Sequence, residues 1–470
     1  MPARLQQGAV IDGFCLGAHI HSGAMGDIYR VSGPETGFPL IMKVPRFGDD
    51  QSIEGLLAFE TEVRILPQLS GPHFPRFVRA GDISDNPYLV LEWLDGRSLA
   101  GVLESGPMPP DEVAHVGARI ADALQSLHLQ DTIHFDLKPD NAILRPHGGI
   151  CLIDFGLAHR ARYPDLLGEE RRFTAGSTPY VSPEQVLGTR SDPRSDLFAL
   201  GVVLYEMATG ELPFGVPQTM AGLRYRLWLD PVPPRVRRAD IPPRLQEVIL
   251  RCLEPEAANR YQSAAQVAFD LRHPSQVTLT ARARKSRPSG LLTQAGRWWR
   301  ARRSAPVAQP LPRMPVNNAP VILAAVDTVH PEDERHPALR RVIAQVLTLS
   351  AEFRLICVSV IRGGPGAETQ SDGDATANPQ VDHLVRLRHW VEPLHLPPQR
   401  LSLHVLEAPN PAGALVDFAR QNHVDLIVIG APDPDQQALA WWRSVASGVT
   451  ANAHCSVHVV RVPRVARETG

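Results

Sequence analysis

Residues 275–318 carry nine basic side chains and no acidic one, and the hydrophobic rhythm differs on the two sides of this stretch. A segment so charged, and dotted with prolines, resists burial. The 470-residue chain is therefore expected to build separate cores before and after it. Before it, residues from about 10 to 95 are strand-rich with one helical stretch, "IEGLLAFETEVRILPQL" at 53–69. From about 110 to 272 the pattern is mainly helical, as in "DEVAHVGARIADALQSLHLQ". After it, apolar strands ("APVILAAVD", "FRLICVSVI", "LSLHVL", "VDLIVIGA", "SVHVVRV") alternate with helices ("EDERHPALRRVIAQVLTL", "QVDHLVRLRHWV", "PAGALVDFARQN", "SVASGVTANA"). That alternation predicts an open parallel α/β sheet. The division expected is 10–273, a basic linker over 274–318, and a second unit over 319–463.

Bulk chemistry narrows the class. The formal net charge is −2, so no whole-chain field points to nucleic acid or a membrane. Cys15, Cys151, Cys252, Cys357 and Cys455 form no CxxC pair, which predicts reduced thiols rather than disulfides or a zinc site. The N-terminus lacks a signal peptide's apolar core, and no run of about 18 apolar residues is present. A soluble cytoplasmic protein is expected. Only three of the 48 basic side chains are lysines: Lys43, Lys138 and Lys285. In so arginine-biased a chain, a retained lysine is a candidate for work the guanidinium fork cannot do.

Two of those lysines sit among other reactive groups. "HSGAMGDIY" (21–29) is a glycine turn between strand-like runs, able to bring backbone N–H groups to phosphates, though most such turns are only hairpins. Lys43 ends the apolar strand "LIMKV", and Glu62 on the following helix can pair with it. "HFDLKPDN" (134–141) is more specific. Asp136 can accept a proton from a hydroxyl, Lys138 offers a point charge, and Asn141 can hold a metal ion. "IDFGLA" (153–158) places Asp154 on a tight turn, suited to a second metal contact. "SPEQ" (182–185), "SDLFALGVVLYEMATGELPF" (195–214) and Arg260 follow in order.

This ordered series resembles a protein kinase domain over about 12–272, in particular the eukaryotic-like serine/threonine kinases of bacteria. The resemblance implies an α+β two-lobed fold, lobes at about 10–95 and 96–273, with ATP in the cleft and Mg²⁺, or Mn²⁺ in its place, bridging the phosphates. It implies ATP contacts from Gly23, Gly26 and Ile28, and from Lys43 paired with Glu62. A hinge over Glu92 to Leu94 would hold adenine, with Leu91 behind the base. Asp136 and Lys138 would be catalytic, Asn141 and Asp154 the metal ligands, and Glu184 with Arg260 a structural ion pair. The lysine two places after Asp136 matches the serine/threonine class. Ser177 matches the hydroxyl residue that contacts Asp136 and Lys138.

Two departures stand out. The first glycine of G-x-G-x-x-G is His21, which predicts weakened rather than lost ATP binding. Phe135 replaces the arginine that often precedes the catalytic Asp and binds an activation-loop phosphate. That removes one mode of control without touching the transfer residues. Thr174, after Arg171 and Arg172, reads either as an autophosphorylation site or as an ordinary polar loop residue. The expected substrate is a protein Ser or Thr hydroxyl. The rival class is a pseudokinase scaffold with little turnover, against which the retained lysines argue.

Residues 319–463 resemble a universal stress protein domain, with Asp327 ending the first strand. The family's nucleotide signature, G-x-x-G, nine residues, then G-[S/T], is degenerate here: Gly430 and Ser444 remain, but Asp433 and Arg443 replace the other glycines. Asp433 would repel phosphate, so this domain is expected to bind a partner, or a second copy through "SVHVVRV", rather than ATP. Trp441 and Trp442 are either a partner surface or core. The basic linker reads as a solvated connection, or alternatively, through "GLLTQAGRWWRARR", as an amphipathic segment on an anionic membrane.

Overall fold

The computed structural model describes residues 6–23, 26–34, 36–45, 53–82, 86–170, 178–287, 291–303, 319–330, 335–348, 352–361, 379–431 and 440–461. The first sheet is built from β1 (Val10–Ile11), β2 (Phe14–Gly23), β3 (Gly26–Ser32), β4 (Leu40–Val44), β5 (Phe77–Ala80) and β6 (Leu89–Glu92), in the order β1-β2-β3-β4-β6-β5 with antiparallel neighbours. Side chains alternate across each strand. Leu40 and Met42 of β4 pack with Phe14, Tyr29, Tyr88 and Val90 on one face, which turns Lys43 to the other. Helix α1 (Ile53–Ile65) crosses that other face, burying Leu56 and Phe59 and, with them, Glu62.

The helical lobe begins with β7 (Arg97–Ser98), α2 (Leu99–Leu103) and α3 (Pro110–His128). A loop region follows, framed by β8 (Thr132–Ile133), β9 (Ala142–Leu144), β10 (Ile150–Leu152) and β11 (His159–Arg160). Then come α4 (Leu166–Glu170), α5 (Pro183–Val186) and α6 (Arg194–Thr209). Helix α6 is apolar nearly all round and correspondingly buried nearly all round, so it forms the axis of the lobe. Helices α3, α8 (Pro234–Arg237) and α9 (Pro243–Cys252) pack on it, α10 (Ala264–Arg272) packs on α3 and α9, and α7 (Met220–Arg224) packs on α5. Arg260, 1 % exposed, makes two hydrogen bonds to Glu184, at 2.7 and 2.8 Å, and donates to the carbonyls of Arg194, Glu254 and Pro255. With its donors so engaged, the pair meets the condition under which a buried charge is tolerated.

Part of the basic stretch is ordered against this lobe. Glu247 accepts from the Thr280 and Ala283 amides, and Gln246 donates to the Arg282 and Lys285 carbonyls. "LLTQAGRWWRARR", rich in good helix formers, forms α11 (Leu291–Arg303). Lys285 and Arg297 both lie 2.5 Å from Asp230.

The C-terminal domain follows the predicted alternation. It runs β12 (Val321–Ala325), α12 (Arg335–Leu347), β13 (Arg354–Ile361), α13 (Pro379–Val391), β14 (Leu401–Glu407), α14 (Pro411–Gln421), β15 (Leu426–Gly430), α15 (Ala440–Asn452) and β16 (Ser456–Val460). All strand pairs are parallel, in the order β14-β13-β12-β15-β16. The inner strands are apolar on both faces, as a sheet with helices on both sides requires. Thus the expected two-lobed α+β fold followed by an open parallel α/β sheet is what the chain adopts. Among the described residues, no helix is long and apolar enough to cross a membrane. The five cysteines are free thiols.

Candidate active site

The sheet and the helical lobe meet where Lys43, Glu62, Asp136, Asn141 and Asp154 gather. Lys43 Nζ lies 2.5 Å from Glu62 Oε2 and 3.5 Å from Asp154 Oδ1. Burial alone would lower the lysine pKa, but Asp154 and Glu62 together outweigh it and raise it. The two acids respond in opposite directions. Burial, with Asp154 nearby, pushes Glu62 up against the pull of Lys43. Asp154 is held below the usual carboxylate range because Lys43, Lys138 and the Gly156 amide overcome its burial. Glu62 is therefore the acid that takes a proton first if Lys43 is removed.

Asp136 sits in a tightly specified loop. Lys138 Nζ donates to its Oδ2 at 3.0 Å, and Asn141 Nδ2 donates to its backbone carbonyl at 2.9 Å and to Oδ2 at 3.2 Å. The five-residue spacing of Asp136 and Asn141 thus closes a compact turn that aims the carboxylate. Phe135 has φ 61° and Asp154 φ 65°, a left-handed conformation unusual for residues with side chains. The loop is held there by Asp196, fully buried on α6. Its Oδ2 accepts the His134 amide and its Oδ1 the Phe135 amide, both at 2.9 Å, and His128 Nε2 lies 2.8 Å away. Burial would raise the Asp196 pKa, but His128, and His134 through its ring and its amide, lower it. Phe155 packs into the core against Phe74 and His134, which leaves its neighbour Asp154 turned toward Lys43.

Asp154 also provides a test for a divalent ion. Its Oδ1 is buried and makes no hydrogen bond beyond the 3.5 Å ion pair with Lys43, and Asn141, whose Nδ2 is taken by Asp136, carries a second side-chain oxygen. Two oxygen donors beside a phosphate site fit a hard cation that completes its shell with phosphate and water.

On the sheet side, Ile28 lies directly across from Lys43 in the β3–β4 ladder. Gly26 has φ 131°, and a Cβ there would fall 2.2 Å from the Val44 carbonyl, so only glycine fits. Gly23 pairs with it across the hairpin, whose tip, residues 24–25, lies outside the described residues. His21, standing where a glycine was expected, is exposed. The hairpin is instead tied by Asp27, which accepts from Ser22 Oγ at 2.5 Å and meets His19 Nε2 at 3.2 Å. Leu91 and Glu92 end β6, both buried, and the half-buried Leu94 follows.

The remaining candidates divide. Thr174 and Ser177 lie outside the described residues. Asp327 and Gly430 come together at the carboxyl edge of the parallel sheet, beyond the paired Ala325 and Ile429. Asp327 is engaged there by the Val329 amide at 3.0 Å and His330 Nδ1 at 3.1 Å. Asp433, and the side chains of Trp441, Trp442, Arg443 and Ser444, lie outside the described part. A pocket of about 670 Å³ lined by His423, Asp425, His454 and Cys455 opens at the opposite, amino edge of β15 and β16.

Sequence reasoning missed Asp196, Asp27 and the partners of Phe135. The Phe135 ring is 4 % exposed and lies 4.6 Å from the guanidinium of Arg190. Arg190 Nε in turn donates to both oxygens of Asp165, at 2.9 and 3.1 Å.

A two-lobed fold with a lysine–glutamate pair over a DxKxxN loop is the architecture of a phosphotransferase acting through ATP, and the chain belongs to the protein kinase family. Residues 14–270 match the protein kinase domain model, and residues 320–461 match the universal stress protein family. Protein kinases use ATP and a divalent metal. The chain is 29 % identical over 420 residues to a probable serine/threonine-protein kinase of Corynebacterium efficiens, covering 86 % of this chain and 62 % of that protein. It is 31 % identical to the serine/threonine-protein kinase PknB of Mycolicibacterium smegmatis, over 55 % of this chain and 42 % of that one. The chain thus spans less than two thirds of the length of these curated relatives. The Mycobacterium tuberculosis PknI kinase domain aligns with 57 % of this chain at 22 % identity and a TM-score of 0.46.

Proposed function

We propose that the chain is a serine/threonine protein kinase transferring the γ-phosphate of ATP to protein hydroxyls, with Mg²⁺ as the ion and Mn²⁺ as its substitute. The observation that carries this is the Asp136 carboxylate, fixed by Lys138 and Asn141 across from the Lys43–Glu62 pair. Asp136 accepts the proton of the acceptor hydroxyl as its oxygen bonds to the γ-phosphorus and the bond to the β-phosphate oxygen breaks, releasing ADP. Lys138 stabilises charge on the transferred group, Lys43 holds the α- and β-phosphates, and Asn141 with Asp154 would hold the ion. The ion supplies charge neutralisation between the phosphates. Gly23, Gly26 and Ile28 cover the nucleotide, and Glu92 to Leu94 meet the adenine through backbone groups.

The proposed division is a kinase domain over 10–273, a connection over 274–318 and a stress-protein-like domain over 319–463. The protein is read as cytoplasmic. Lys285 and Arg297 are both engaged by Asp230, which favours an intramolecular role for the basic stretch over a membrane surface. β16 lies at one edge of its sheet, a position suited to pairing with a second copy. Light scattering across the micromolar range is expected to show a dimer, and a constant monomer mass would remove this pairing.

The test of the main reading is transfer from labelled ATP, with wild type and Asp136→Asn side by side. Wild type is expected to phosphorylate itself or a protein substrate, with the variant slower by about 100-fold or more. Transfer that persists in the variant removes Asp136 from its assigned role, and none from wild type over several substrates returns the chain to the pseudokinase class.

A further inference from the structure

Among the described residues, two of the contacts between the C-terminal domain and the kinase domain bear on the active site. The first is α1, the helix that carries Glu62. Glu60, 4 % exposed, lies between Arg64 of α1 at 2.5 Å and Arg388 of α13 at 3.2 Å. Arg64 then reaches the carbonyls of Leu401 at 3.0 Å and Pro398 at 3.3 Å. The second is α4, in the segment that follows Asp154. Glu169 accepts from Arg354 of β13 and lies 2.7 Å from His404 Nε2 on β14, whose Nδ1 is 3.1 Å from Glu170. Asn422 donates to the Glu169 carbonyl at 3.1 Å, and Gln399 donates to the Tyr163 hydroxyl at 3.1 Å.

Four acids of the kinase domain, Glu60, Glu169, Glu170 and, at 3.9 Å from Arg388, Asp82, therefore face three basic groups of the C-terminal domain, Arg354, Arg388 and His404. Burial would lower the His404 pKa, but Glu169 and Glu170 outweigh it and raise it to about 9, so it meets them as a cation. Glu169 is lowered to about 2, because Arg354 and His404 overcome its burial. The two contacts are joined inside the kinase domain, where Leu166 and Leu167 of α4 pack on Leu57 of α1. Glu60 and Glu62 stand two residues apart on one helix, roughly 200° around its axis. What grips Glu60 from outside fixes the direction of Glu62 inside.

We propose that the C-terminal domain is a built-in positioning element for catalysis: Arg388, through Glu60, and Arg354 with His404, through α4, hold α1 so that Glu62 meets Lys43. This rests on the kinase reading above. The consequence is directional. Any event that lifts the C-terminal domain from α1 and α4 slows transfer. The Lys43–Glu62 pair is made while the domain is docked, so docking supports activity rather than suppressing it.

Arg388 is the position to test, because its side chain is one-third exposed at the rim of the contact and its loss leaves the cores intact. In the full chain, Arg388→Ala is expected to lower kcat about tenfold with little change in KM for the protein substrate. Arg388→Lys, which keeps the charge opposite Glu60, is expected to recover most of it. Amide hydrogen exchange of residues 53–65, measured on the same proteins without nucleotide, is expected to speed up in Arg388→Ala and return toward wild type in Arg388→Lys. Unchanged exchange in α1, or a kcat for Arg388→Ala equal to or above wild type, overturns the positioning role while leaving the kinase reading untouched. A wild type without transfer removes the kinase reading, and the exchange measurement then still decides whether the C-terminal domain holds α1.

Discussion

Lys43→Ala is expected to leave a folded protein whose phosphate transfer is slower by about 100-fold or more, the scale seen when one preorganised charge is removed from a reacting site. The reason is visible in what surrounds the ammonium. Glu62 and Asp154 both lie within 3.5 Å of Nζ, and its removal leaves two carboxylates with no cation between them. Breaking a buried ion pair from one side costs about 3–5 kcal/mol when the orphaned charge stays ionised. Here part of that cost is relieved, because Glu62, already raised by burial, takes up a proton. The sign of the pH dependence follows. An acid with a raised folded pKa destabilises the fold above its unfolded pKa, and that penalty fades as pH falls. The difference in Tm between wild type and Lys43→Ala should therefore narrow from pH 8 to pH 5. Lys43→Arg is expected to be impaired too, since a planar fork cannot replace a compact ammonium between two acids. Transfer within threefold of wild type in Lys43→Ala would exclude the assigned role.

Much of the active site was legible because its parts are local. Asp136, Lys138 and Asn141 lie within one turn, and their hydrogen bonds close over the spacing that the sequence displays. Lys43 was marked by the scarcity of lysine, and its strand by the alternation of Leu40 and Met42 against Lys43. The parallel sheet of the C-terminal domain was legible for a similar reason: strand and helix periods announce themselves within ten residues. What stayed hidden joins distant segments. Asp196 lies 62 residues from the His134 amide that it accepts, and no local pattern ties a helix-borne aspartate to a loop so far away. The contact of Arg388 with Glu60 spans 328 residues. Such pairs are chosen by packing of whole elements, and each member taken alone resembles any surface charge. The basic stretch was legible in composition only. Charge predicted solvation, yet Glu247 and Asp230 supply counter-charges that order part of it.

Phe135 leads to the second large effect. Arg190→Ala is expected to reduce transfer by about tenfold or more, while phosphatase treatment of wild type leaves its rate nearly unchanged. Where a phosphate-binding arginine was expected beside Asp136, the apolar ring of Phe135 carries the guanidinium of Arg190 on its face at 4.6 Å, a cation–π contact worth about 0.5–2 kcal/mol. That guanidinium donates to Asp165 and to the Leu157 carbonyl at 2.7 Å. Asp165 also accepts the Gly168 amide at 3.1 Å, which starts α4. The segment after Asp154 is thus tied to the catalytic loop by a carboxylate encoded in the chain, in the role a phosphate would fill. Burial would raise the Asp165 pKa, but Arg190, His159 and the Gly168 amide lower it. A carboxylate with a depressed pKa contributes stability above its unfolded value and loses it only as pH falls through the folded one, so the tie is complete at neutral pH. Phe135→Arg should not improve the enzyme, because it sets a second guanidinium against Arg190 without a further anion to share. The measurement is the transfer rate before and after phosphatase, with phosphate stoichiometry by mass spectrometry, for wild type, Arg190→Ala and Phe135→Arg. If dephosphorylated wild type loses most of its activity, or Arg190→Ala keeps all of it, the activation segment is ordered by something other than Asp165.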